Sequence, residues 1–148
     1  MRAPLLLAAL LLVHATAAAR APEPSYREQA RDLLAALDAS VLRARVATVE
    51  HAFGDRDARQ TAHVMRVEGP RVEAVAAQLA GLAPPRAHAR THATLLQAAA
   101  WYAEAMGLLE ACFRRADEEA CHAGGVRVGW GATYRDVAAS ALGARGFS

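Results

Sequence analysis

The sequence predicts an all-α fold, an up-down-up-down four-helix bundle, on three observations. Alanine supplies 39 of the 148 residues, while lysine, asparagine and isoleucine are absent. The strongest helix former therefore dominates, and the β-branched residues reduce to valine and threonine. Apolar residues recur at helical spacing in four segments of about 25–30 residues, each roughly 40 Å long as a helix. Short corners containing glycine, proline or aspartate separate the segments, and such connections favour antiparallel neighbours.

Ahead of the first segment stands "MRAPLLLAALLLVHATAAARA". One arginine, an apolar run from Pro4 to Val13 and a tail of small residues follow the plan of a secretory signal peptide. We read the signal as residues 1–19, because cleavage after Ala21 would set Pro22 beside the cut. The apolar run of about ten residues is short of the ~20 that span a bilayer as a helix. No cysteine follows it to carry a lipid, and no later stretch reaches spanning length. The expected mature chain is secreted or periplasmic, without a membrane span. Residues 20–24 form a proline-containing linker, and residues 25–146 form the bundle domain.

The first helix opens on "SYRE", where Ser25 and Glu28 have the spacing of a capping box. Tyr26, Ala30, Leu33, Leu34, Leu37, Val41, Ala44 and Thr48 make its apolar face. "FGD" should stop it, with Gly54 left-handed and Asp55 capping the next helix. The second helix carries Ala58, Ala62, Met65, Val72, Val75, Ala76 and Leu79. Pro70 lies inside it and has no amide to donate to Arg66, which predicts a kink or a break. Gly81, Pro84 and Pro85 end that segment. The third helix should run from about Arg86 to Arg115, with His92, Leu95, Leu96, Ala99, Tyr102, Ala103, Met106, Leu109 and Phe113 facing inward. Asp117 is the expected cap of the fourth. Gly124, Gly125, Gly129 and Gly131 each cost roughly 1 kcal/mol against alanine in a helix interior. The first half of helix four should be weak unless close packing against a neighbour compensates.

The net charge is +2, and the arginines alternate with acids. No basic run marks a nucleic-acid or membrane patch. Cys112 and Cys121 sit almost symmetrically about the third corner, where an antiparallel hairpin sets equidistant positions across from each other. In an exported protein they read as one disulfide. Closing its ten-residue loop contributes roughly 2.7 kcal/mol by the chain-entropy argument.

Three histidines are the remaining ligand candidates. His88 and His92 are four apart, which sets both on one helix face and allows zinc or copper binding if further ligands converge. His51 and His63 are too distant in the expected topology to join them. The competing reading makes "LAPPRAHARTH" a corner, with His88 facing solvent and His92 packed and hydrogen-bonded. His122 follows Cys121 as the axial ligand does in a c-type haem attachment, but Glu118 stands where the first cysteine belongs. Glu119-x-x-His122 is a single copy of a motif that di-iron bundles use twice. No cofactor is therefore expected. Catalytic constellations are missing too: Ser25 and Ser40 lack suggestively placed partners, and "HAGGVRVGWG" lacks the Lys-Ser/Thr of a phosphate loop. Trp101, Tyr102, Trp130 and Tyr134 read as packing between helices three and four.

Leu82-x-Pro84-Pro85, His92, Leu95-Leu96, Ala98, Tyr102 and Ala105 resemble a pattern in small exported bacterial helical-bundle proteins of unassigned function. The resemblance covers only residues 82–105, and Pro70 and the glycine-rich segment depart from it. It implies a helical bundle and supplies no catalytic residue. The expected function is a non-enzymatic binding or structural module of the bacterial envelope, with a protein or envelope partner. The alternative is a metal- or haem-binding bundle using His88, His92 or His122.

Overall fold

The computed structural model describes residues 24–144, which form four antiparallel helices and, among those residues, no strand. The expected signal peptide and most of the expected linker lie outside the described residues, as do residues 145 and 146 of the expected domain.

Helix α1 spans Tyr26–Ala52. Its start is the expected capping box: the Ser25 hydroxyl accepts from the Glu28 amide, and the Ser25 amide donates to Glu28 Oε2 at 2.7 Å. Phe53 caps its end, and Gly54 follows at φ +83°. Helix α2 spans Ala58–Gly81 and is capped by Asp57 rather than Asp55. Asp57 accepts from the Gln60 amide at 2.7 Å, and the Gln60 side chain accepts from the Asp57 amide. The sequence "DRDARQ" holds two aspartates, but only the second has an amide-bearing side chain three residues on. Tertiary burial also corrects the expected break at Pro70. The proline is exposed, while Met65, Val72, Val75 and Leu79 are buried on either side of it, so inward packing carries the helix through one missing hydrogen bond.

Leu82 leaves α2 in an extended conformation, and a 3-10 turn over Arg86–His88 leads into α3, Ala89–Arg115. Ala116 takes the left-handed conformation at φ 52°, unusual for a residue with a Cβ. Asp117 then caps α4, Glu118–Leu142, by accepting from the Ala120 amide at 3.0 Å.

Helix α4 is unbroken through its four glycines. Two of them explain why. A Cβ on Gly124 would come within 2.9 Å of the Leu109 side chain, and one on Gly131 within 2.8 Å of the Tyr102 ring. The missing side chains let α4 settle onto α3, and that packing offsets the propensity cost. Gly125 and Gly129 meet nothing within 4 Å, and no contact accounts for them.

The up-down-up-down topology is visible at both ends. At one, the Arg31 guanidinium of α1 donates to the Leu142 carbonyl at the end of α4, and Tyr26 stacks on His88 at the α2–α3 corner. At the other, His51 meets Phe113 edge-on. Leu34, Leu37, Met65, Val72, Leu79, Leu95, Met106 and Leu142 are the largest fully buried apolar side chains. The bundle is lopsided: α3 packs extensively on α2 and α4, whereas α1 rests mainly on α2 and touches α3 and α4 lightly. No described helix is long and apolar enough to cross a membrane.

Candidate functional site

The expected ligands are not brought together. His88 stacks on the Tyr26 ring with centroids 5.3 Å apart, and His92 tilts against the same ring at 5.9 Å. An imidazole lying flat on a phenol directs its nitrogens along the ring plane, away from a common point with the hydroxyl. His88 is thus half-buried rather than solvent-facing, and Tyr26 of α1 is the partner that sequence spacing did not indicate. His92 is packed as expected, but its Nδ1 has no hydrogen-bond partner among the described residues, nor has the Tyr26 hydroxyl. Burial raises the Tyr26 pKa above the ordinary phenol value. Among the described residues no three of His, Cys, Asp and Glu gather in a metal-binding group.

Cys112 and Cys121 lie across the α3–α4 corner with Sγ atoms at disulfide distance, 2.09 Å, and Cα atoms 4.8 Å apart. In that state the Cys121 sulfur is not available for a thioether to haem. His122, next to it, is exposed at the start of α4.

The aromatic group of α3 and α4 divides. Tyr102 is buried, its ring fitted over Gly131, and burial together with the nearby negative Asp38 pushes its hydroxyl up to about 12. Trp101 and Trp130 meet edge to face at 4.7 Å, with the Arg127 guanidinium over both rings. Arg127 in turn holds Glu104 at 3.0 Å. Tyr134 lies outside this group, exposed on α4.

Two ion pairs built on a buried side chain, Glu68 in one and Arg135 in the other, fix α1. On the α2 side, Arg43 grips Glu68 through both carboxylate oxygens at 2.8 Å, and Arg71 adds a third contact at 2.6 Å. Burial alone would raise the Glu68 pKa; hydrogen bonds from Arg43 and Ser40 and the charges of Arg43 and Arg71 outweigh it and hold the carboxyl below its ordinary value. On the α4 side, Arg135 is bidentate on Asp38, with Nε–Oδ1 at 2.8 Å, and also reaches Asp136 at 2.9 Å. The Arg135 pKa is raised, first by the hydrogen bond to Asp38.

Between these clamps α1 turns a second apolar line outward. Leu42, Val46, Val49 and Phe53 are 48%, 46%, 53% and 80% exposed. Leu42, Val46 and Val49 also form one wall of a cleft of about 550 Å³ between α1 and α4, whose other residues include Tyr102, Ala132, Arg135 and Asp136. The cleft lies where α1 meets α4 only lightly, with Arg135 and Arg31 bridging the two helices. This face is the candidate site, and the reading of helix one as having a single apolar stripe missed it. The signal was present in Leu42, Val46, Val49 and Phe53, which recur at intervals of four, three and four. No protein-family model, curated protein or solved structure matches the chain.

Proposed function

We propose that the chain is a non-enzymatic binding module of the cell envelope or extracellular space, engaging a protein surface through the outer face of α1. One observation carries this reading: Leu42, Val46, Val49 and Phe53 form a continuous exposed line instead of scattered single residues. Together they present on the order of 400 Å² of apolar surface, the size at which a patch on a small protein is commonly functional. A helix face with no role in association gains more from charged residues, as Arg59, Arg66 and Arg90 illustrate on the exposed sides of α2 and α3. Of the ionised groups around the face, Asp38 is committed to Arg135, Arg43 to Glu68 and Glu50 to Arg56, which leaves Arg45 at its edge.

Site-specific photocrosslinking tests the reading. A benzophenone side chain at Val46 of the exported protein should yield discrete protein adducts, and one at Glu73, exposed on α2, should not. Equal labelling from both positions, or no adduct from Val46, refutes it.

A further inference from the structure

Resting on the binding reading above, we propose that the surface seated on α1 is the α1 of a second copy, in a parallel two-fold pair. The spacing is the first argument. Extended toward the N-terminus, the outer line reads Ala35, Ala39, Leu42, Val46, Val49, Phe53, all six exposed and separated by four, three, four, three and four residues. That alternation is the 3.5-residue repeat of a coiled-coil seam, in which a straight stripe stays in register with an identical partner. The core face of the same helix, by contrast, is fixed by α2, α3 and α4 and takes no part.

Charge decides the direction. Arg45 and Glu50 flank the seam on opposite sides and are five residues apart, the separation at which residues of two parallel helices meet across a seam. Each copy then contributes one Arg45 to the partner's Glu50. Arg45 has no ion pair of its own among the described residues; Glu50 is held only by Arg56, at 2.7 Å, and stays partly exposed. An antiparallel pair that aligns Leu42 with Phe53 sets Arg45 level with the partner's Glu50 but on the opposite flank of the seam, so that ion pair does not form. The patch is also small. Two copies bury about 800 Å² of apolar surface plus a polar rim, below the roughly 1,200 Å² at which stable interfaces begin, so the dimer should be weak and reversible.

Sedimentation of the purified protein between about 1 and 300 µM should show a reversible monomer–dimer equilibrium, a range chosen for an interface of this size. Val46→Arg should leave monomer throughout. Arg45→Glu and Glu50→Arg should each weaken the dimer by about fivefold, and the double exchange should restore it. Ala39→Cys should oxidise to a covalent dimer, because parallel pairing sets the two Ala39 positions opposite each other. All four positions lie at the surface, so circular dichroism of each variant should match the parent. A chain that stays monomeric at the highest concentration, a dimer indifferent to Val46→Arg, or a dimer in which Ala39→Cys fails to crosslink overturns the proposal. A monomeric chain whose Val46 photocrosslinks to a different protein sinks this inference and leaves the binding reading standing; absence of both sinks the two together.

Discussion

Replacing Asp38 with alanine tests whether α1 is clamped to α4 by a desolvated charge pair. The Arg135 side chain is 5% exposed and that of Asp38 12%, so deleting the carboxylate leaves a guanidinium with little water to turn to. Breaking a fully buried pair costs about 3–5 kcal/mol. Two features reduce that figure here. Asp136, 70% exposed, still accepts from Arg135, and the pair borders the α1–α4 cleft. We therefore expect about 2–3 kcal/mol, a large share of the 5–15 kcal/mol that stabilises a domain. With an unfolding entropy of roughly 2.1 cal/mol/K per residue, the described domain should lose about 10 °C in melting temperature. Thermal and urea melts of Asp38→Ala followed by circular dichroism measure it. The double variant Asp38→Leu/Arg135→Met, which removes both charges and keeps volume, should recover most of the loss, since apolar replacements of buried pairs are close to neutral or better. A single variant within a few degrees of the parent, or a double variant worse than the single one, would refute the account.

The glycines of α4 should sort by what lies above them. Gly129→Ala and Gly125→Ala should each stabilise by up to about 1 kcal/mol. Gly131→Ala should destabilise by about 1–2 kcal/mol, because the Tyr102 ring is rigid and buried, with Gly124→Ala milder since a leucine end can swing aside; urea midpoints report all four. Reducing the Cys112–Cys121 pair, or replacing both by serine, should cost about 2–3 kcal/mol, read as the melting shift on adding reductant. Because the Glu68 pKa is lowered in the fold, its contribution is complete above the ordinary carboxylate value near 4.3 and is lost as pH falls through the depressed one. The melting temperature should begin to drop near about pH 5 and keep falling as pH passes through the depressed Glu68 value, and Glu68→Gln should flatten that drop while lowering stability at neutral pH.

Helix number, order and most boundaries were legible because they depend on local chemistry: the Ser25–Glu28 box, the Asp117 cap, and the glycine and proline corners act within a few residues of themselves. The cysteine pair was legible for a related reason, its symmetry about one corner. The unbroken course of α2 through Pro70 and the identity of the neighbour that fills the space over the α4 glycines were not legible, because the costs are local while the compensation is not. Nothing within α4 indicates that Tyr102 and Leu109 of α3 need the space that Gly131 and Gly124 vacate. The outer face of α1 was hidden by a different cause. Val41 and Leu42 are adjacent and equally apolar, yet one is 8% exposed and the other 48%. Only the packing of α1 against the other helices decides which of the two is covered. The Tyr26–His88 stack was out of reach likewise, since it joins the first turn of the bundle to its second corner.

The light attachment of α1 carries an energetic consequence. This helix shares little surface with α3 and α4, so it should open first, while the stapled α3–α4 hairpin holds together. The helix most easily released is thus the one that displays Leu42 and Phe53. Anything that seats on it lends rigidity where the bundle has least, and by mass action its concentration becomes a determinant of thermal resistance. Recognition and endurance are in this way two readings of a single equilibrium.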